Sequence, residues 1–193
     1  MQSSIAIETR PLGPLSAVEV VPEHVTERTR VLSFLKRIDT IRIHEYEDHD
    51  GVVYYKMDVI FEHRITRIPT NRGKVVLRQY QGKADRVVLR RFSDFIALRK
   101  AMWLKVQEHG IMRCSYCEDI FSYILFSKSQ PNVVCKLTTG KTKRMQILEA
   151  FINDIVVMAR TCKSSRLCGM CAGVNAIPHL VSDFLQNATK STM

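Results

Sequence analysis

The sequence predicts an α+β fold, a small antiparallel three-stranded or extended sheet packed against a helical subdomain, on three observations. Strand-period runs come first along the chain, over 38–46, 55–61 and 86–91. Helix-period runs follow, led by Phe95, Leu98, Met102 and Val106. Between the first two strands stands Asp50-Gly51, a hairpin dipeptide, so those strands are antiparallel.

Residues 1–30 hold Pro11, Gly13, Pro14 and Pro22 with little periodicity, and read as a flexible arm. The folded part is predicted over 31–187, opening with the apolar stretch 31–35, and 188–193 form a tail. In the first strand Ile41 and Ile43 alternate with Arg42 and His44, the pattern of a half-buried strand. In the second, Tyr55, Met57, Val59 and Phe61 share one face, with Lys56 and Asp58 on the other. Pro69, Asn71 and Gly73 mark a loop, and the run 74–80 echoes 87–90, an arrangement suited to an added hairpin around 81–83. The strand ending at Arg91 closes the meander.

A helix starts next, with Ser93 or Asp94 as its N-cap and Gly110 available to end it. Ile120, Phe121, Ile124 and Leu125 repeat at helical spacing until Pro131 breaks the pattern. From Lys141 a longer helix carries Leu148, Phe151, Ile155 and Met158. Residues 162–173 read as a loop with three cysteines. Pro178 then suits the first position of a short helix bearing Val181, Phe184 and Leu185.

Composition narrows the class. Hydrophobic content of 46% with 25% charged residues belongs to a globular chain rather than a disordered one. No apolar run reaches the ~20 residues that span a bilayer. The first ten residues lack an apolar run behind a basic start, so a secretory signal is not expected. Six cysteines then point to a reducing, cytoplasmic setting without disulfides. The formal net charge of +10 points to a polyanionic partner. Nucleic acid and an anionic membrane both satisfy that requirement.

The stretch 86–98 carries the most chemistry. A β-branched run feeds two arginines, an aromatic ring and a helix start. Successive strand residues face opposite ways, so only one of Arg90 and Arg91 can serve a given pocket. Guanidinium, aromatic face and free helix N–H groups are the parts that hold an anionic ring compound. Solvated arginines on a strand edge explain the same residues.

Arg90-Arg91-Phe92-Ser93-Asp94-Phe95 resembles the signature of the phox-homology (PX) domain, a phosphoinositide-binding family. The resemblance spans roughly 38–185 and implies a small antiparallel sheet on a helical subdomain. It implies that Arg91 binds the inositol 3-phosphate, that Phe92 packs on the inositol ring, and that Arg144 bonds the inositol hydroxyls. Phe92 serves equally as core. The family's connector lysine has two counterparts here, Lys128 before Pro131 and Lys136 after it, neither at the family spacing. Phe121, Tyr123, Ile124, Leu125 and Phe126 precede that connector, where PX domains dip apolar residues into the bilayer; a core helix accounts for them as well. The implied partner is a phosphoinositide-bearing membrane of endosomal type, with phosphatidylinositol 3-phosphate the implied lipid, protein partners left open and nucleic acid not expected.

Two dithiol pairs, Cys114-x-x-Cys117 and Cys168-x-x-Cys171, lie outside the family pattern. Together they can supply four thiolates to a tetrahedral structural zinc. Reduced thiols, or a redox dithiol at Cys114 and Cys117, are the alternatives. Cys135 and Cys162 read as spare thiols. No His-Glu-x-x-His, Gly-rich phosphate loop or nucleophile elbow occurs, and the histidines are scattered, with His44, His49 and His63 flanking the first hairpin. The function expected is therefore binding rather than catalysis. The alternative is a zinc-stabilised basic module that binds nucleic acid or protein on a PX-like scaffold.

Overall fold

The computed structural model describes residues 26–62, 84–108, 114–161 and 171–186 of the chain. The chain opens with α1 (Glu27–Arg37), which begins ahead of the expected start of the folded part. Thr26 caps it, its Oγ1 accepting the Thr29 N–H at 3.3 Å. Glu27 in the first turn and Lys36 and Arg37 in the last suit the helix dipole.

The strands are β1 (Ile38–His49), β2 (Val52–Phe61) and β3 (Arg86–Arg91). They form a three-stranded antiparallel sheet in the order β1-β2-β3. The β1–β2 turn has Asp50 at φ 51° and Gly51 at φ 78°, the left-handed pair of a tight hairpin. Asp48 secures it, accepting the Gly51 N–H at 3.0 Å. A Cβ at Gly51 would meet nothing within 4 Å, so the cost of a side chain there is conformational alone. Gly51→Ala is expected to destabilise the fold by about 1 kcal/mol, read as a lowered Tm.

The expected alternation is present. Tyr55, Met57 and Val59 are buried on the core face, while Phe61 is half-buried at the end of the strand, its ring 5.9 Å from that of Phe34. Asp58 on the opposite face is buried too. The run 74–80 and its added hairpin lie outside the described residues.

The helices that follow are α2 (Phe92–Gln107), α3 (Ser115–Phe126), α4 (Val133–Thr138), α5 (Lys141–Arg160) and α6 (Ala172–Gln186). Phe95, Leu98, Met102 and Val106 of α2 are all buried, as their spacing requires. Edge strand β1 would leave peptide groups unpaired, and α5 takes them up. Asn153 accepts the Ile41 N–H at 2.9 Å and donates to the Ile41 carbonyl at 2.7 Å. Glu149 accepts the Ile43 N–H at 2.6 Å, and Arg160 donates to the Ile38 carbonyl at 2.8 Å. These bonds blunt the sheet edge and fix the height of α5 on it.

Two helices differ from the expected outline. Pro178 lies inside α6 rather than at its first position. Val174, Ile177, Val181 and Leu185 are all fully buried along one stripe of that helix, and this packing outweighs the poor helix propensity of Gly173 and Pro178. The stretch expected to be a plain connector contains α4, whose cap Asn132 accepts the Cys135 N–H at 2.6 Å. Among the described residues, no helix is long and apolar enough to cross a membrane.

Candidate functional site

The β3–α2 junction separates its two arginines as strand geometry demands. Arg90 points into the fold and is 5% exposed. Its Nε and Nη2 donate to the Phe184 carbonyl at 3.0 and 2.6 Å, and its guanidinium lies 5.0 Å from the centre of the Phe184 ring. Burial pulls its pKa below the usual arginine value, with the Asp94 carboxylate opposing. Arg91 points outward and is exposed.

The N-cap of α2 is Arg91 itself, not Ser93 or Asp94 as expected. An arginine side chain has no acceptor with which to cap. Asp94 compensates from the third helical position, accepting the Arg91 backbone N–H at 2.8 Å. The same carboxylate approaches the Arg91 guanidinium, Nε to Oδ1 3.6 Å, and so steadies the side chain at the helix mouth. Phe92 turns inward, 4% exposed, with its ring 6.5 Å from that of Tyr55 at a steep angle. Its core role is therefore realised.

Arg144 lies in the first turn of α5. That turn begins at Gly140 without a side-chain cap, contains no acidic residue, and bears Lys141, Lys143 and Arg144. Cations at a helix N-terminus are unfavourable without an anion. The Arg144 Nε is buried and has no hydrogen-bond partner, and the Tyr55 hydroxyl is in the same condition. Such groups are costly to leave unsatisfied.

Sheet register shows where this turn sits. Tyr46 pairs with Tyr55, Tyr55 with Arg90, and Tyr54 with Arg91. Lys141 lies over the Tyr46 ring at 4.6 Å and 3.8 Å from Asp48. The α5 opening and Arg91 thus share one end of the sheet, the end at the β1–β2 hairpin. Tyr55 lies between Tyr46 and Arg90 on the middle strand.

Lys128 and Lys136 are both exposed, the first in the α3–α4 connector and the second on α4. Gln130 pins that connector. Its Oε1 accepts from Arg99 Nε at 3.0 Å, and its Nε2 donates to the Tyr123 carbonyl at 3.0 Å. The apolar residues ahead of it divide between the two roles they could take. Ile124 is buried and Phe121 and Tyr123 are half-buried, whereas Leu125 is exposed and Phe126 is 78% exposed. On α4, Val133, Val134 and Leu137 are exposed as well. Sequence reasoning passed over this second apolar group because its helix was not recognised.

The cysteines form a second site. Cys114 is the N-cap of α3, Cys117 lies in its first turn, and Cys171 directly precedes α6. The three sulfurs lie within 4.8 Å of one another and could hold a metal ion. Cys117 and Cys171 are 3.2 Å apart. Burial, with hydrogen bonds from the neighbouring thiols, pushes Cys117 up. Burial also opposes ionisation of Cys171, but hydrogen bonds from Cys117 and from the Gly173 and Val174 amides outweigh it and hold that thiol down. Cys168 and Cys162 lie outside the described residues, as does His63. Cys135 is buried on α4 beside Thr139.

A scan of family models, a search of characterised proteins and a search of solved structures returned no match.

Proposed function

We propose that this protein is a PX-like membrane-recruitment module that binds phosphoinositide head groups reversibly, without catalysis. The observation that carries the reading is the basic, uncapped opening of α5, with its buried and unpartnered Arg144 Nε, at the same end of the sheet as exposed Arg91. A phosphorylated inositol ring answers both needs, supplying phosphate to a guanidinium fork and acceptors to the buried donor. Arg91 takes the 3-phosphate and Arg144 the ring hydroxyls. Phe92, held by Tyr55, forms the floor rather than an open stacking face.

Exposed Phe126, Val133, Val134 and Leu137, with Lys128 and Lys136 among them, suit a surface that meets lipid. Apolar side chains enter the acyl boundary, and each membrane-facing lysine or arginine adds about 1 kcal/mol. The target is an endosomal-type cytoplasmic membrane bearing phosphatidylinositol 3-phosphate. A structural zinc ion on Cys114, Cys117 and Cys171 belongs to the same reading, with Cys168 the fourth ligand nominated by spacing.

Liposome co-sedimentation tests the lipid assignment. Vesicles containing each phosphoinositide are compared with phosphatidylserine vesicles of matched charge, at low and high salt. Screening within ~8 Å should strip the general charge contribution, while a head-group preference persists. Binding that follows total charge alone overturns the reading. Tighter binding to an RNA or DNA panel favours a basic nucleic-acid module instead.

A further inference from the structure

We infer that Cys114, Cys117 and Cys171 form a zinc-thiolate clamp that fixes the N-terminus of α6 to that of α3. The inference rests on the zinc assignment above and adds its mechanical role. The sulfurs come from two elements far apart in sequence, and only the fold brings them together. In a tetrahedral zinc site with Zn–S near 2.3 Å, sulfurs lie about 3.8 Å apart. The observed separations, 3.2 Å for Cys117–Cys171 and none above 4.8 Å, bracket that value. Loading therefore needs only small rotations of the side chains. Three thiols release three protons to solvent as three S–Zn bonds form, and a fourth donor, thiolate or water, completes the tetrahedron. Three thiolates in one set select a thiophilic ion over magnesium or calcium.

Gly173 is an independent sign that the cluster is built. A Cβ at that position would lie 2.5 Å from Cys117 Sγ, so the first turn of α6 makes room for the sulfur. The clamp also completes a strut. At its far end, α6 is held through the Phe184 carbonyl by Arg90, the residue beside Arg91. The two fixings, Cys171 and Phe184, are separated by about 20 Å of helix. With the ion in place, α6 is anchored at both ends and braces the β3–α2 junction from behind.

The test uses the full chain under reducing conditions and no lipid, so its result is independent of the lipid assignment. The protein should hold about one zinc per chain. Cobalt titration into the metal-stripped protein should give sulfur-to-cobalt charge-transfer bands and the intense visible bands of a tetrahedral ion. Chelator should lower the Tm of the parent chain. Cys171→Ser should weaken cobalt binding by more than the roughly 10- to 100-fold that follows loss of a group merely bonded to a ligand. Gly173→Ala, which keeps every thiol, should weaken it too. Absence of stoichiometric metal, or of sulfur-to-cobalt bands in the parent chain, overturns the site. Bound zinc whose removal leaves the Tm unchanged retains the site and overturns the clamp.

Discussion

Arg91→Ala is expected to abolish phosphoinositide-selective vesicle binding while leaving the Tm within about 2 °C of the parent. The side chain is exposed and its ion partner Asp94 sits at a helix mouth, so its removal opens no cavity. The helix start survives, because the bond that secures it runs from the residue 91 backbone N–H to Asp94. What disappears is a charge-assisted fork on a phosphate, worth about 2–3 kcal/mol, or roughly 30- to 150-fold in affinity. Arg91→Lys should recover part of the binding, since it restores the charge but not the planar fork. Co-sedimentation against the phosphoinositide panel, paired with a melting curve, measures both quantities. An alanine variant that sediments like the parent would remove Arg91 from the site.

The sheet was readable in the sequence because one of its faces is buried. Ile41 and Ile43 on β1, and Tyr55, Met57 and Val59 on β2, declare the period of 2 directly. The α2 stripe was readable for the matching reason at a period of 3.6. The α2 N-cap was not. Sequence rules choose a residue whose side chain can accept, and so pointed to Ser93 or Asp94. The fold instead uses Asp94 from the third position to serve an arginine that cannot cap. The start of α6 was missed because Gly173 argues locally for a loop and Pro178 suits a first helical position. Val174 and Ile177, however, already continue the stripe of Val181 and Leu185. For α4 the readable signal was Asn132 placed three residues before Cys135.

The candidate site divides in the same way. That Arg90 and Arg91 face opposite ways follows from any strand. Which of them is buried depends on the carbonyl end of α6, some 94 residues further along, and no local pattern encodes that. The anion requirement of the α5 opening was partly visible as Lys141, Lys143 and Arg144 with no nearby acid. The buried Arg144 Nε emerged only when α5 was seen against the sheet. The dithiol spacing foretold a cluster, and the structure joins Cys171 to Cys114 and Cys117. The need for glycine at 173 could not be read from spacing, since it arises where two helix ends meet.

Arg90→Ala is expected to give the opposite result to Arg91→Ala, a large loss of stability with the head-group residues intact. The Phe184 carbonyl lies in the last turn of α6, where helix carbonyls have no partner of their own. Arg90 supplies two donors to it and a positive charge at the negative end of the helix dipole. Truncation strands that carbonyl, removes the guanidinium from the Phe184 ring and leaves space beneath the junction. Relief of the desolvation that lowers the arginine's pKa offsets part of this. The stranded acceptor and the lost packing dominate, for a net cost of about 2–4 kcal/mol. In a chain of this size that corresponds to a Tm lowered by about 5–15 °C. Arg90→Lys should recover only part of it, because one ammonium cannot reproduce both the fork and the stacking. Well below the melting transition, the folded fraction of Arg90→Ala should still prefer phosphoinositide vesicles, since Arg91 and Arg144 are unchanged. Thermal melts and co-sedimentation at low temperature separate the two effects. A variant that melts like the parent yet loses the preference would reverse the roles of the two arginines and make Arg90 the head-group ligand.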